Sequence, residues 1–334
     1  MENSIAKDKI SNFSLKRDAD NKKKMYMIVA SIIVFSILFL IVGVKLKHID
    51  YAMSQRLPKL VAIILTGGCI AFSSVIFQTV TSNNILTPSV LGLDSLYILI
   101  QTMLVFFVGM DSKLMMNRNY NFILCIVIMV IASFFLYKKL FEKSNNNIMF
   151  LLLLGMIFGT LFKSISTFMQ VVIDPNEYAS LQSKLYASFG NINTDIIMLS
   201  IIMIVIMIPF IYDDLKYLDV IGLGKEHAVN LGVDYDKVVK KMIIVVAILV
   251  SISTALVGPL TFLGLLVVNI SKQLLNTYKH SYIIIGSILI SILTLVAGQF
   301  LVEHVFTFET TLSVIINFVG GIYFIYLLLN RSKL

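Results

Sequence analysis

The chain has 334 residues, 58% of them hydrophobic and only 14% charged, with a mean hydropathy of +0.90. A soluble domain carries about 45–50% apolar and about 25% charged residues, so this composition excludes an ordinary water-soluble domain and places the chain in a bilayer. The net charge of +8 does not point to nucleic acid, because the basic residues are scattered over short polar segments between apolar runs and build no soluble basic module.

Residues 1–24 are polar and basic and read as a cytoplasmic tail; residues 25–334 read as a single transmembrane domain. Met25 to Val44 is longer than the hydrophobic stretch of a secretory signal, and Lys45 follows without a small-residue cleavage pattern. It is therefore expected to stay as a first membrane helix. Crossing a hydrocarbon core of roughly 30 Å takes about 20 apolar residues. Candidate spans on that measure are 25–44, 58–79, 89–110, 120–137, 148–173, 194–212, 241–257, 259–271, 281–302 and 311–329.

The eighth span begins at Gly258-Pro259, a dipeptide that either turns the chain or kinks one long helix, and its 13 residues reach about 20 Å. Flanking positive charge favours the cytoplasmic side and separates these options. With ten crossings and both termini inside, nineteen Lys and Arg fall inside and seven outside; merging the seventh and eighth spans leaves 15 against 11. Ten crossings are expected, in an all-α polytopic membrane protein with a polar connection, residues 213–240, on the cytoplasmic side.

That connection contains "GLGKEHAVNLGVD" from Gly222. It is not a phosphate-binding P-loop, which requires GxxxxGK followed by Ser or Thr: Asp219 stands where the first Gly belongs and Glu226 follows Lys225. The pattern predicts a short helix over Lys225–Leu231 between Gly224 and Gly232, with Glu226 at the positive end of its dipole. Ala228, Val229 and Leu231 give it an apolar surface, which suits either a groove on a soluble partner or a flat position among lipid headgroups.

Inside the apolar runs, Lys163 is a functional candidate because a charge at that depth is costly. It either snorkels along its stem or lines a path for an anionic cargo. Gly155 and Gly159 form a GxxxG pair suited to close helix packing. Gln170 and Asp174 face a path or an interface, and the connection from Asp174 to Asn193 is long enough for a short helix. Cys69 and Cys125 sit separately in apolar runs, which gives neither a disulfide framework nor a metal site. His48, His227, His280 and His304 are scattered, so no catalytic cluster suggests an enzyme. An ion-coupled secondary transporter is the alternative transport class; it needs carboxylates near the midplane, and Asp94 is the main one within a span.

Five blocks in order, "RLPKLVAIILTGG" from Arg56, "FQTVTSNNILTPSVLGLD" from Phe77, "GLGKEHAVNLGV" from Gly222, "GPLTFLGLLV" from Gly258 and "FVGGIYFIYLLL" from Phe318, resemble the FecCD-type permeases of binding-protein-dependent ABC importers. "FMQVVIDPNEY" from Phe168 and "LTPSVLGLDSLYILIQT" from Leu86 look most like the branch for catecholate siderophores such as petrobactin or anguibactin. The resemblance implies the type II importer fold, with two permeases around a path, two ATPase subunits beneath and a siderophore-binding lipoprotein outside. A heterodimer of permeases is favoured and a homodimer possible. No cofactor is expected on this chain; ATP and Mg belong to the partner ATPase.

In such permeases a coupling helix docks into an ATPase cleft, and its pattern falls on Gly224, Glu226, Ala228, Leu231 and Gly232. The cations that meet acidic lobes of the binding protein correspond to Arg56 and Lys59, where Lys lacks the bidentate fork of Arg. A motif at the cytoplasmic end corresponds to Gln78, Asn83, Pro88 and Gly92. The sequence departs from the family at Asn84, where a Pro is usual, and at Val268, Asn269 and Lys272, where Pro-His-x-x-Arg is usual.

Overall fold

The computed structural model describes residues 2–44, 49–143, 148–190, 192 and 194–329, and of 2–16 and 136–143 the backbone alone. The basic residues Lys45, Lys47, Arg331 and Lys333, which entered the topology count, lie outside the described residues. Among the described residues every regular element is helical: α1 Glu2–Ile41, α2 Ile49–Val80, a 3-10 turn Pro88–Leu91, α3 Leu93–Val108, α4 Lys113–Met116, α5 Arg118–Lys143, α6 Ile148–Val172, α7 Pro175–Leu185 and α8 Thr194–Tyr212. A 3-10 turn Leu215–Tyr217, α9 Leu218–Ile221, α10 Lys225–Asn230, α11 Tyr235–Val257, α12 Leu263–Leu275, α13 His280–His304 and α14 Leu312–Leu329 complete the chain.

Eight of these helices are long and apolar enough to cross a membrane, and α3 and α12 are shorter apolar helices. Together they coincide with the ten expected spans. Helix ends differ because an apolar run marks where a helix lies in hydrocarbon, not where it begins. Thus α1 continues back through the polar tail. Likewise α2 starts at Ile49 and carries Pro58 in its interior, and α11 starts at Tyr235, where the Asp234 side chain accepts the Lys237 N–H.

At Gly258-Pro259 the chain breaks. Gly258 takes φ +106, and α12 resumes only at Leu263. A Cβ at Gly258 would stand 2.9 Å from Ala187 Cα, so both the backbone angle and the close approach require glycine there.

Helices α2, α11 and α13 are the most buried spans, while α1, α6, α8 and α14 turn apolar side chains outward. Small residues let the inner helices close up: Gly67 faces Ser291, and a Cβ on Gly264 would overlap Ser74 Oγ. The GxxxG pair of α6 works the same way. A Cβ on Gly155 would lie 3.0 Å from Leu91 Cα, and one on Gly159 3.2 Å from Gly92 Cα, so α6 rides against the turn that opens α3.

Candidate functional site

The polar connection after α8 folds back on the bundle instead of lying apart from it. Leu218 and Ile221 of α9 are fully buried in the main core, against α2. Gly224, at φ +103 and ψ 163, then redirects the chain into α10, and the Ala228 N–H donates to Gly224 O at 3.0 Å. Gly232, at φ +83, ends the helix, and the Val233 N–H returns to Ala228 O at 3.0 Å. Lys225 Nζ meets Asp236 Oδ1 at 2.9 Å, and Lys241 pairs with Asp214.

Glu226 is exposed in the first turn of α10. Ala228, which the sequence placed on the outward apolar surface, is instead 0% exposed. A small residue is needed there because α10 is pressed against α9 and α11. The outward apolar tip is formed by Leu223, Val229 and Leu231, exposed by 61%, 52% and 64%.

Beside this segment, the end of α2 is tied to α12. Lys272 Nζ donates to Gln78 Oε1 at 2.9 Å and Asn84 Oδ1 at 2.7 Å, and Asn269 Nδ2 donates to Asn84 O at 3.0 Å. Of the four residues that depart from the family pattern, Asn269 and Lys272 thus both bond to a third, Asn84. Asn83 Oδ1 accepts the Ile85 N–H at 3.0 Å, Pro88 opens the 3-10 turn, and Gly92 closes it at φ +78. The four motif residues shape the α2–α3 connection.

At the opposite end of the bundle, Arg56 Nη1 donates to the carbonyls of Phe39, Leu40 and Val42 at 2.7, 3.2 and 2.8 Å. The Phe39 and Leu40 carbonyls are among the last of α1, which find no partner within the helix, and Val42 O, just past its end, also lies 3.2 Å from His304 Nε2. Lys59 Nζ lies 3.4 Å from Glu303 Oε1, which also accepts from Gln299 Nε2 at 3.0 Å. The two cations are thus largely engaged within the bundle. Sequence reasoning missed this because neither the end of α1 nor its distance to Glu303 is written in local spacing.

Lys59 also borders a cavity of about 620 Å³, whose lining includes Tyr97, Arg118, Asn121, Lys184 and Tyr186. Lys184 Nζ donates to Met115 O at 3.1 Å. Burial, and then the neighbouring Arg118 charge, push the Lys184 ammonium below the ordinary lysine range.

On α6, Lys163 is exposed together with Thr160, Ser164 and Thr167. Spaced three and four residues apart, they make one polar stripe on an otherwise apolar outer face. Gln170 does not join it, since its Nε2 turns inward to Thr102 Oγ1 at 3.1 Å. Asp174 caps α7, accepting the Asn176 N–H at 2.8 Å. Asp94 Oδ2 accepts the Thr261 hydroxyl at 3.1 Å, at the break before α12. Among the described residues no group of three or more His, Cys, Asp or Glu is placed to hold a metal ion.

The profile of the FecCD transport family matches residues 24–330. The petrobactin import system permease protein YclO of Bacillus subtilis (strain 168) is 57% identical over 94% of this chain and 99% of its own length. The petrobactin import system permease protein FatC of Bacillus anthracis is 40% identical over 84% of this chain and 80% of its own. A solved ABC transporter of the metal-chelate type, in an inward-facing conformation, superposes with a TM-score of 0.78 at 20% identity, covering 92% of this chain and 99% of that one. Its likeness concerns the fold. By its helices, its five ordered sequence blocks and its end-to-end relatives, this chain belongs to the FecCD transport family, as a multi-pass transport subunit and not a catalytic one.

Proposed function

We propose that this permease carries a ferric catecholate siderophore of the petrobactin kind across the cell membrane, driven by ATP hydrolysis on a separate subunit. The observation that carries the reading is the 57% identity, over nearly the full length of both chains, with a permease named for petrobactin import. Named petrobactin permeases occur in pairs, YclO with YclN and FatC with FatD, and YclN is only 26% identical to this chain. That supports a heterodimer with a second, diverged permease.

In this reading both termini and α9–α10 are cytoplasmic. The tip Leu223, Val229 and Leu231 enters a cleft on the ATPase, with Glu226 at its rim, while Gly224, Ala228 and Gly232 give the segment its shape. The stripe Thr160, Lys163, Ser164 and Thr167 faces the second permease and lines the path, where the ammonium meets an anionic chelate. Gln170 and Asp174 position α6 and α7 beside it. Acidic lobes of a binding protein approach Arg56 and Lys59, competing with Glu303 for Lys59. Gln78, Asn83, Pro88 and Gly92 form the cytoplasmic mouth. The chain holds no cofactor of its own; ATP and Mg sit on the ATPase.

The test is uptake of radioiron into proteoliposomes holding both permeases, the ATPase and the binding protein, with iron-petrobactin set against an iron-hydroxamate. Uptake should need ATP and prefer petrobactin. Equal uptake driven by an ion gradient without ATP would establish the secondary-transporter reading instead.

A further inference from the structure

Helix α13 crosses the whole bundle against α1, α2, α12 and α14, yet its N-cap residue, Lys279, offers no side-chain cap. The first amide N–H groups of a helix need acceptors from elsewhere. One acceptor comes from α9: the His280 N–H donates to Asp219 Oδ1 at 2.8 Å, and His280 Nδ1 lies 2.6 Å from the same oxygen. The other face of the ring looks toward α2, with Nε2 2.9 Å from Thr79 Oγ1. The Thr79 hydroxyl also reaches Val75 O at 2.9 Å.

Counting protons limits the arrangements. If Thr79 donates to Val75, then Nε2–H donates to Thr79; if Thr79 donates to Nε2, the ring is neutral. A bare Nδ1 against a carboxylate oxygen at 2.6 Å would be repulsive, so Nδ1–H donates to Asp219 in both. Gly222 allows the ring to close in, since a Cβ there would stand 3.2 Å from His280 Cε1. The buried Leu218 and Ile221 give α9 a hold without direction, whereas hydrogen bonds fix distance and angle, and those to a charged carboxylate are the stronger kind.

We infer that Asp219 and His280 form the joint through which movement of α9–α10 is handed to α13 and, by way of Thr79, to α2. They are positioning residues: they touch no cargo and act through the helices they fasten. The inference rests on α9–α10 being the coupling segment. A rigid link is needed because the ATPase meets only the exposed tip, while α2 and α13 are among the most buried spans.

The experiment measures chelate moved per ATP hydrolysed in the reconstituted transporter, with ATPase retention checked for each variant. Asp219→Ala and His280→Gln should keep the ATPase bound and lower the ratio about tenfold, within the range of coupling between sites. His280→Asn, which restores a donor near Nδ1, should recover most of the ratio, and Asp219→Ala with His280→Gln should be no worse than either alone. An unchanged ratio, equal falls in transport and hydrolysis, or no advantage of Asn over Gln would overturn the joint. Should Asp219→Ala fail to assemble, the two His280 variants decide alone. If Leu231→Glu leaves ATPase binding intact, the coupling-segment reading fails instead.

Discussion

At Ala228 and Gly224 the same short pattern has two different physical causes. Gly224 is glycine because its φ of +103 is closed to other residues, and nothing stands within 4 Å of its missing Cβ. Ala228 is small because it is fully buried between α9 and α11. The sequence made the segment legible as a glycine-bracketed helix, but which face of a six-residue helix looks inward depends on neighbours far along the chain. Arg56 repeats the lesson, since its carbonyl partners lie 14 to 17 residues away. Lys184 supports a prediction at this scale. Because burial and Arg118 disfavour its charged form, the pH midpoint of its labelling by a small amine-reactive reagent should fall below that of N-acetyl-lysine. Arg118→Gln should move that midpoint upward; mass spectrometry of the labelled peptide checks both.

Among the elements, the long helices were legible because twenty-residue apolar runs have few other uses, and the span 194–212 coincides with α8. The polar ends were not legible: the backbone of α1, α2 and α11 stays helical beyond the hydrocarbon boundary, where hydropathy falls silent. Helix α6 shows two uses of one element, with glycines toward α3 and a polar stripe outward. Gly155→Leu should force apart α6 and the Pro88–Leu91 turn, where no Cβ fits without displacing backbone. Overpacking of this kind costs about 1–3 kcal/mol. The purified variant should therefore melt at a lower temperature than the parent, and Met156→Leu, at an exposed apolar position of the same helix outside the polar stripe, should melt with the parent.

For the whole molecule, composition and charge bias indicated the ten-helix bundle, and the ordered blocks indicated the family. The links between distant parts were hidden. Asp219 to His280, Lys272 to Asn84 and Lys59 to Glu303 each join residues 61 to 244 apart in sequence, so no local spacing announces them.

The brevity of α12 bears on biosynthesis. Thirteen residues fall short of the roughly twenty that a helix needs to settle in a bilayer alone, so the ribosome-bound chain cannot commit this segment to the lipid as soon as it emerges. Its lodging waits for α13, which follows within a few residues and packs against it. In chains that end just after Leu275 and have been released from the ribosome, a cysteine at Leu265 should stay open to a water-soluble thiol reagent, and in chains that extend through α13 it should be protected.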